Sequence, residues 1–194
     1  MKNLFKIFLL IILFSSCKQK FLNPRINIQT SVGDIEIELY PKQAPKTVAA
    51  FLSYIDSNYY NNSNFYRVLN DDNQPSNAPK TELIQGGIWK SNNKLASALK
   101  GIEHETTQQT GIQHLDGTIS LARLAPGTAS TEFFICVGDQ HGLDYGGENS
   151  TDGQGYAAFG RVMKGMNIVK QIYKANEDNQ YYNPPIPIYN IVRE

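Results

Sequence analysis

Apolar residues at every second position, in short runs broken by Gly, Asp, Asn and Pro, constrain this chain more than any other feature. Ile26 and Ile28 alternate with polar neighbours, Ser31-Val32-Gly33-Asp34 reads as a turn, and Ile35, Ile37 and Leu39 alternate with Glu36 and Glu38. A period of two puts one face of a strand in a core and the other in water, and the intervening Gly-Asp makes the pair a hairpin. The same reading predicts strands over 64–69, 82–86, 117–124, 132–137, 156–162 and 186–192. Two segments have the helical period instead. Val48, Phe51, Leu52 and Ile55 form one stripe behind Pro45, whose missing N–H costs nothing in a first turn, and Met166, Val169, Ile172 and Tyr173 form another. Residues 70–80 and 138–155 are polar and rich in turn formers, so they read as long loops, and 89–115 shows little regular pattern. Many short strands, two helices, no repeat and no interior linker predict a mainly β single domain, a barrel or a sandwich.

Composition narrows the function classes. The 194 residues carry 18 Lys+Arg against 18 Asp+Glu, which argues against a protein that neutralises nucleic-acid phosphates. Eleven Tyr and nine Phe argue against a disordered chain, and two cysteines cannot make a disulfide framework. His104-Glu105-Thr106-Thr107-Gln108 falls one ligand short of a zinc-protease helix, and His104, His114 and His141 show no ligand spacing, so no metal is expected. Gly153 and Gly155 lack the third glycine of a dinucleotide fingerprint, and no Gly-x-Ser-x-Gly elbow is present. Cys136, inside an apolar strand, reads as buried and inert.

The first residues read as an address. Lys2 and Lys6 precede an unbroken apolar run from Ile7 to Phe14, too short for a bilayer span and of signal-peptide size. Phe14-Ser15-Ser16-Cys17 resembles a bacterial lipobox, in which the thiol is lipidated and the chain is cut before it. The expected organisation is a signal peptide over 1–16, a lipidated Cys17 with a short tether over 17–25, and a domain over 26–194. An ordinary secretory signal or an uncleaved anchor is the alternative. Cleavage would leave the mature chain slightly negative, with Lys18 and Lys20 beside the membrane, where each adds about 1 kcal/mol toward anionic lipid.

Ile35-Glu36-Ile37-Glu38-Leu39-Tyr40-Pro41, Ala44-Pro45-Lys46-Thr47-Val48, Phe65-Tyr66-Arg67-Val68, Ile84-Gln85-Gly86-Gly87, Gly117-Thr118-Ile119-Ser120-Leu121-Ala122-Arg123, Glu132-Phe133-Phe134-Ile135 and Gly155-Tyr156-Ala157-Ala158-Phe159-Gly160-Arg161-Val162 follow one another in an order that resembles the cyclophilins, a family of peptidyl-prolyl isomerases. The resemblance covers residues 26–193. It implies a closed eight-stranded antiparallel β-barrel capped by two α-helices, no cofactor and no metal, a monomer, and an outer-face groove for proline-containing polypeptide segments. It implies catalytic roles for Arg67 and Gln85, and substrate binding by Phe65, Tyr66, Leu83, Ala122, Arg123, Glu132, Phe134, Leu143 and Tyr156. Nucleic acid is not an expected partner. A membrane is, through the lipid anchor, which would place the domain in the bacterial cell envelope, in the periplasm or at the cell surface.

The residue types suit that chemistry. Isomerising an X-Pro bond crosses a barrier near 18–20 kcal/mol because rotation breaks amide resonance. No bond is made, so an apolar seat for the ring and a fixed guanidinium beside the prolyl nitrogen are what the reaction needs. Some positions depart from the family's usual residues. Tyr66 stands for His, Glu132 for Gln, Glu82 for Phe, and Gly142 for a Trp that many members carry. Glu132 is expected to pair with Arg67 or Arg123. Gly142 implies weak cyclosporin binding with X-Pro turnover kept, and a Trp placed there is expected to restore much of that binding unless the 138–155 loop aims the position away from the groove. The rival reading is a low-turnover proline-peptide-binding chaperone or assembly factor in the same groove, or a structural lipoprotein that docks a partner through 70–80.

Overall fold

The computed structural model describes residues 22–194, so the signal segment and Cys17 lie outside the described residues. A hairpin of β1 (Arg25–Thr30) and β2 (Asp34–Leu39) opens the fold, with Arg25 of the expected tether already in β1. Helix α1 (Pro45–Asp56), β3 (Ser63–Leu69), β4 (Leu83–Gly87), β5 (Thr118–Leu121), β6 (Phe133–Cys136), β7 (Ala157–Lys164), α4 (Met166–Tyr173), a two-residue β8 (Glu177–Asp178) and β9 (Tyr181–Arg193) follow. Two short helices, α2 (Asn93–Ala98) and α3 (Thr107–Thr110), add to the two predicted ones. The sheet runs β1-β2-β7-β5-β6-β4-β3-β9, antiparallel throughout, and the β1–β9 pairing closes it into an eight-stranded barrel, with β8 appended to the start of β9.

Period two explains the interior. Ile26, Ile28, Ile35, Ile37, Phe65, Val68, Ile84, Ile119, Phe133 and Ile135 all point inward and are fully buried. At about 25 cal/mol per Å² of apolar surface, this packing is the main stabilising force. Phe51 of α1 reaches in among Tyr60, Phe133 and Phe159, with ring centroids 4.9 to 5.7 Å away. Helix α1 packs against β7 and β9, and α4 against β2 and β4. Ala44, at the start of α1, has no side-chain oxygen to cap it. Glu105 does so from far along the chain, its carboxylate accepting from the N–H groups of Lys46 (3.2 Å) and Thr47 (2.8 Å) and from Thr47 Oγ1 (2.7 Å). A carboxylate suits the positive end of a helix.

Candidate active site

One irregularity builds the site. Both neighbours of β3 shift register between Phe65 and Arg67, which marks a β-bulge. A bulge inserts a residue and resets the alternation, so Tyr66 and Arg67 in succession face outward while Phe65 and Val68 face in. Phe65 is therefore not a substrate-binding residue. It is fully buried inside the barrel, edge-on to Phe133 at 5.7 Å. The registers Arg67↔Gln85, Gln85↔Phe134 and Phe134↔Ser120 then align one outer-face row across β3, β4, β6 and β5, and Leu69↔Leu83↔Cys136 align the next.

These rows carry a second apolar cluster, separate from the barrel core: Leu83, Phe134, Cys136 and Leu143, flanked by Leu69, Ala122 and Tyr156. Leu143 arrives on a 3-10 turn (His141–Leu143) of the long loop, which is pinned where Tyr156 N–H donates to Leu143 O at 3.0 Å. Tyr156 meets Phe134 edge-on at 5.5 Å. The cluster floors a groove of about 840 Å³, whose walls include Arg67, Gln85, Trp89, Glu132 and residues of both long loops. Cys136 is a buried free thiol with its pKa pushed up by burial, which makes it apolar packing beneath the groove and not a nucleophile.

Arg67 lies at the lip of this apolar seat. Its Nη1 donates to Gln85 Oε1 at 3.2 Å, and its Nε and Nη2 donate to Gln180 Oε1 at 3.2 and 2.7 Å, a partner no motif indicated. Gln85 Nε2 donates to Tyr66 Oη at 2.7 Å, and Tyr66 Oη donates to Glu132 Oε2 at 2.7 Å. Glu132 pairs with neither Arg67 nor Arg123. Its other oxygen accepts from the N–H groups of Ile88 (2.9 Å) and Trp89 (3.0 Å) and from Thr131 Oγ1 (3.1 Å). Its carboxylate packs over Gly87, where a Cβ would stand 2.5 Å from it and where φ is +143°, so only glycine fits. Burial holds the Glu132 carboxyl above its ordinary range, and burial together with the adjacent Glu132 charge pushes the Tyr66 phenol up. Tyr66 and Glu132, which stand for His and Gln, are thus hydrogen-bonded to each other.

The remaining departures lie outside the Arg67–Gln85–Phe134 row. The Glu82 carboxylate is taken up by the Tyr173 hydroxyl of α4. A Cβ on Gly142 would sit 1.8 Å from Asn149 Oδ1, and Asn149 Nδ2 in turn donates to Pro79 O at 3.1 Å. Asn149 thus occupies the place a Trp side chain would take and ties the two long loops together. A Trp at 142 would have to displace Asn149 from that tie. Arg123 turns its guanidinium into the loop, forming a bidentate pair with Asp152 (2.6 and 2.8 Å) and donating to Gly155 O (2.6 and 2.8 Å), over the Tyr156 ring. Its side chain is only 3% exposed, and its hydrogen bonds hold the shape of the loop.

Behind Phe134 lies a polar chain. His114 stacks on the Phe134 ring at 5.9 Å, its Nδ1 is 2.8 Å from Asp144 Oδ1, and its Nε2 is 2.9 Å from Ser120 Oγ. The carboxylate can only accept, so Nδ1 carries the proton and Nε2 accepts from Ser120. The order of Asp, His and Ser is that of a hydrolase triad, but His114 and Ser120 are fully buried, so substrate cannot reach them. They fasten the Leu143 turn to β5. Burial lowers the His114 pKa below its ordinary 6.5 despite Asp144. The unfolded chain therefore binds the extra proton first, and this site's contribution to stability falls as pH drops below about 6.5. Acidifying from pH 7 to pH 5 should lower Tm more in wild type than in His114→Gln, which keeps a donor for Asp144 and an acceptor for Ser120. Parallel Tm–pH slopes by calorimetry would contradict this.

Among the described residues, no cluster of three or more His, Cys, Asp or Glu side chains could hold a metal, and no helix is long and apolar enough to cross a membrane. Comparison with known proteins agrees with the geometry. A family model described as cyclophilin type peptidyl-prolyl cis-trans isomerase/CLD matches residues 25–193. A peptidyl-prolyl cis-trans isomerase of Acinetobacter baylyi is 36% identical over 151 residues, 77% of this chain and 72% of that protein. Peptidyl-prolyl cis-trans isomerase B of Escherichia coli is 32% identical over 170 residues, 87% of this chain and 96% of that protein. The crystal structure of a cyclophilin-type isomerase from Cryptosporidium parvum shares the fold, with a TM-score of 0.68 at 22% identity, covering 89% of this chain and 98% of that one. A closed barrel with an apolar outer groove, and a family match that spans nearly all of it, make this chain a member of the cyclophilin-type peptidyl-prolyl cis-trans isomerases.

Proposed function

We propose that this isomerase acts on X-Pro bonds of exported polypeptides from a lipid anchor at Cys17, with Arg67 as its catalytic residue. The observation that carries the catalytic reading is the Arg67 guanidinium held by two neutral amides at the edge of an apolar seat. The proline ring enters the seat between Phe134, Leu83, Leu143 and Tyr156. As the C–N bond twists, the nitrogen loses its share in amide resonance and becomes pyramidal and basic, and the guanidinium donates to its lone pair. Arg does not deprotonate in proteins, so the donor is always present. Uncatalysed, the step takes on the order of 10–100 s, and reaching milliseconds takes a factor of about 10⁴, or about 5.5 kcal/mol. A charged hydrogen bond in a partly desolvated groove is a term of that scale.

The anchor is supported by Lys2, Lys6, the Ile7–Phe14 run and Ser15-Ser16-Cys17. From Cys17 to Pro24 the chain spans at most about 25 Å, so the barrel would work close to its membrane. Expressed at full length, wild type should be acylated and sediment with membranes, while Cys17→Ser should lose the acyl group and wash off. An unacylated, freely soluble wild type would sink the anchor. Slow refolding of an exported, proline-limited client, unimproved by catalytic amounts of the protein, would sink the client reading.

A further inference from the structure

Gln180 takes two of the three hydrogen bonds that the Arg67 guanidinium makes, from a point 113 positions away in sequence. It sits in the turn between β8 and β9, where Asn179 (φ 51°) and Gln180 (φ 74°) both adopt the left-handed region, which side chains other than Asn and Asp seldom adopt. The turn is fastened on every side. Gln180 N–H donates to Glu177 Oε2 at 2.6 Å, Gln180 O accepts from Val68 N–H at 2.8 Å, and Gln180 Nε2 donates to Asn73 O at 3.0 Å. Because Asn73 O only accepts, the amide nitrogen must point there, and Oε1 is left facing the guanidinium.

We propose that Gln180 is a positioning residue of the isomerase, the second half of a neutral clamp that fixes the Arg67 plane without cancelling its charge. The inference rests on Arg67 being the catalytic group. Gln85 and Gln180 occupy Nε–H and one N–H on each Nη, which leaves one N–H on each Nη, fixed in the same plane, available to a peptide. Carboxylates at these positions would bind the fork more strongly, as charge-assisted and bidentate pairs. They would also neutralise the guanidinium next to the nitrogen whose lone pair it must stabilise. Two amides give rigidity and leave the full positive charge available. Through Asn73 O the clamp also couples the 70–80 loop to the catalytic side chain.

The test compares wild type, Gln180→Asn, Gln180→Glu and Arg67→Ala by kcat, KM, Tm and the Arg67 Nε–Hε resonance. Asn tolerates the left-handed backbone but is one methylene too short to reach, so Gln180→Asn should lose kcat by about tenfold with KM within about twofold and Tm nearly unchanged. Its Arg67 Nε–Hε proton should exchange faster with solvent. Gln180→Glu should hold Arg67 at least as firmly through a charged pair, with a protected Nε–Hε, and still lose kcat, while its lost donor to Asn73 O lowers Tm slightly. Wild-type kcat in both Gln180 variants would overturn the clamp while leaving Arg67 intact. A fall in Tm with kcat retained would reduce Gln180 to a turn residue. Full activity in Arg67→Ala would overturn the reading on which the inference rests, and the clamp with it.

Discussion

Arg67→Ala is expected to lower kcat/KM by two orders of magnitude or more, about 2.7 kcal/mol of transition-state stabilisation, with Tm within a few degrees of wild type. The separation of activity from stability follows from the bulge, which places Arg67 on the outer face, half-buried, away from the core that Phe65 and Val68 build. Removing the side chain leaves Gln85 and Gln180 near the groove, where water can satisfy their oxygens. Arg67→Lys should recover only part of the loss. An ammonium is a point charge on a flexible stem and cannot reproduce the planar fork that meets both glutamines at once. Activity near wild type in Arg67→Ala, measured in a protease-coupled X-Pro assay, would exclude the guanidinium mechanism.

The second large effect is expected at Glu132, through stability and rate together. Four donors converge on its carboxylate: the N–H groups of Ile88 and Trp89, Thr131 Oγ1 and Tyr66 Oη. Leaving buried donors unmet costs about 1–3 kcal/mol each, less where water can enter, so Glu132→Ala should cost about 4 kcal/mol in all. For a domain of this size that is a Tm lower by about 8–16 °C. Tyr66 also loses its acceptor, Gln85 loses a fixed neighbour, and kcat should fall with it. Glu132→Gln should be milder for stability, because the amide oxygen keeps the Ile88 and Trp89 contacts and the charge whose burial is unfavourable is gone. It turns an N–H toward Tyr66 Oη, which already accepts from Gln85, so the rate still suffers. Adding Tyr66→His should restore rate beyond the sum of the single effects, the signature of contacting residues. Strict additivity in that cycle would show that the two positions act independently.

Much of the barrel was legible because alternation is a one-dimensional signal. The β1–β2 hairpin and the α1 and α4 stripes lie near where the periods of 2 and 3.6 placed them. The bulge was not legible, since strict alternation sends Phe65 and Arg67 to the same face, and only the shifted register separates them. The early start of β9 was hidden by Pro184, Pro185 and Pro187, which demote a strand reading. Helix α3 carried a readable signature that went unused: Thr106 and Gln109 form a capping box, and Gly111 ends the helix in the left-handed region. The Arg67–Gln85–Phe134 row was legible only through resemblance, residue by residue. Tyr66 and Glu132 each stood out as a departure, but their partnership depends on β3, β4 and β6 lying side by side. Gln180 carries no motif at all. Its role exists only because a turn far along the chain folds back to the end of β3.

The circular order of the strands has one more effect. Counted around the closed ring in either direction, β6 is the fourth strand from β1. Phe134, at the centre of the groove floor, is therefore on the wall diametrically opposite the strand that begins at Arg25. Anything that held the chain ahead of Arg25 would hold it through a strand four places round the ring from the groove floor. A catalyst leashed in this way would be like a hook fixed by its shank, with the binding side on the wall opposite the strand that holds it.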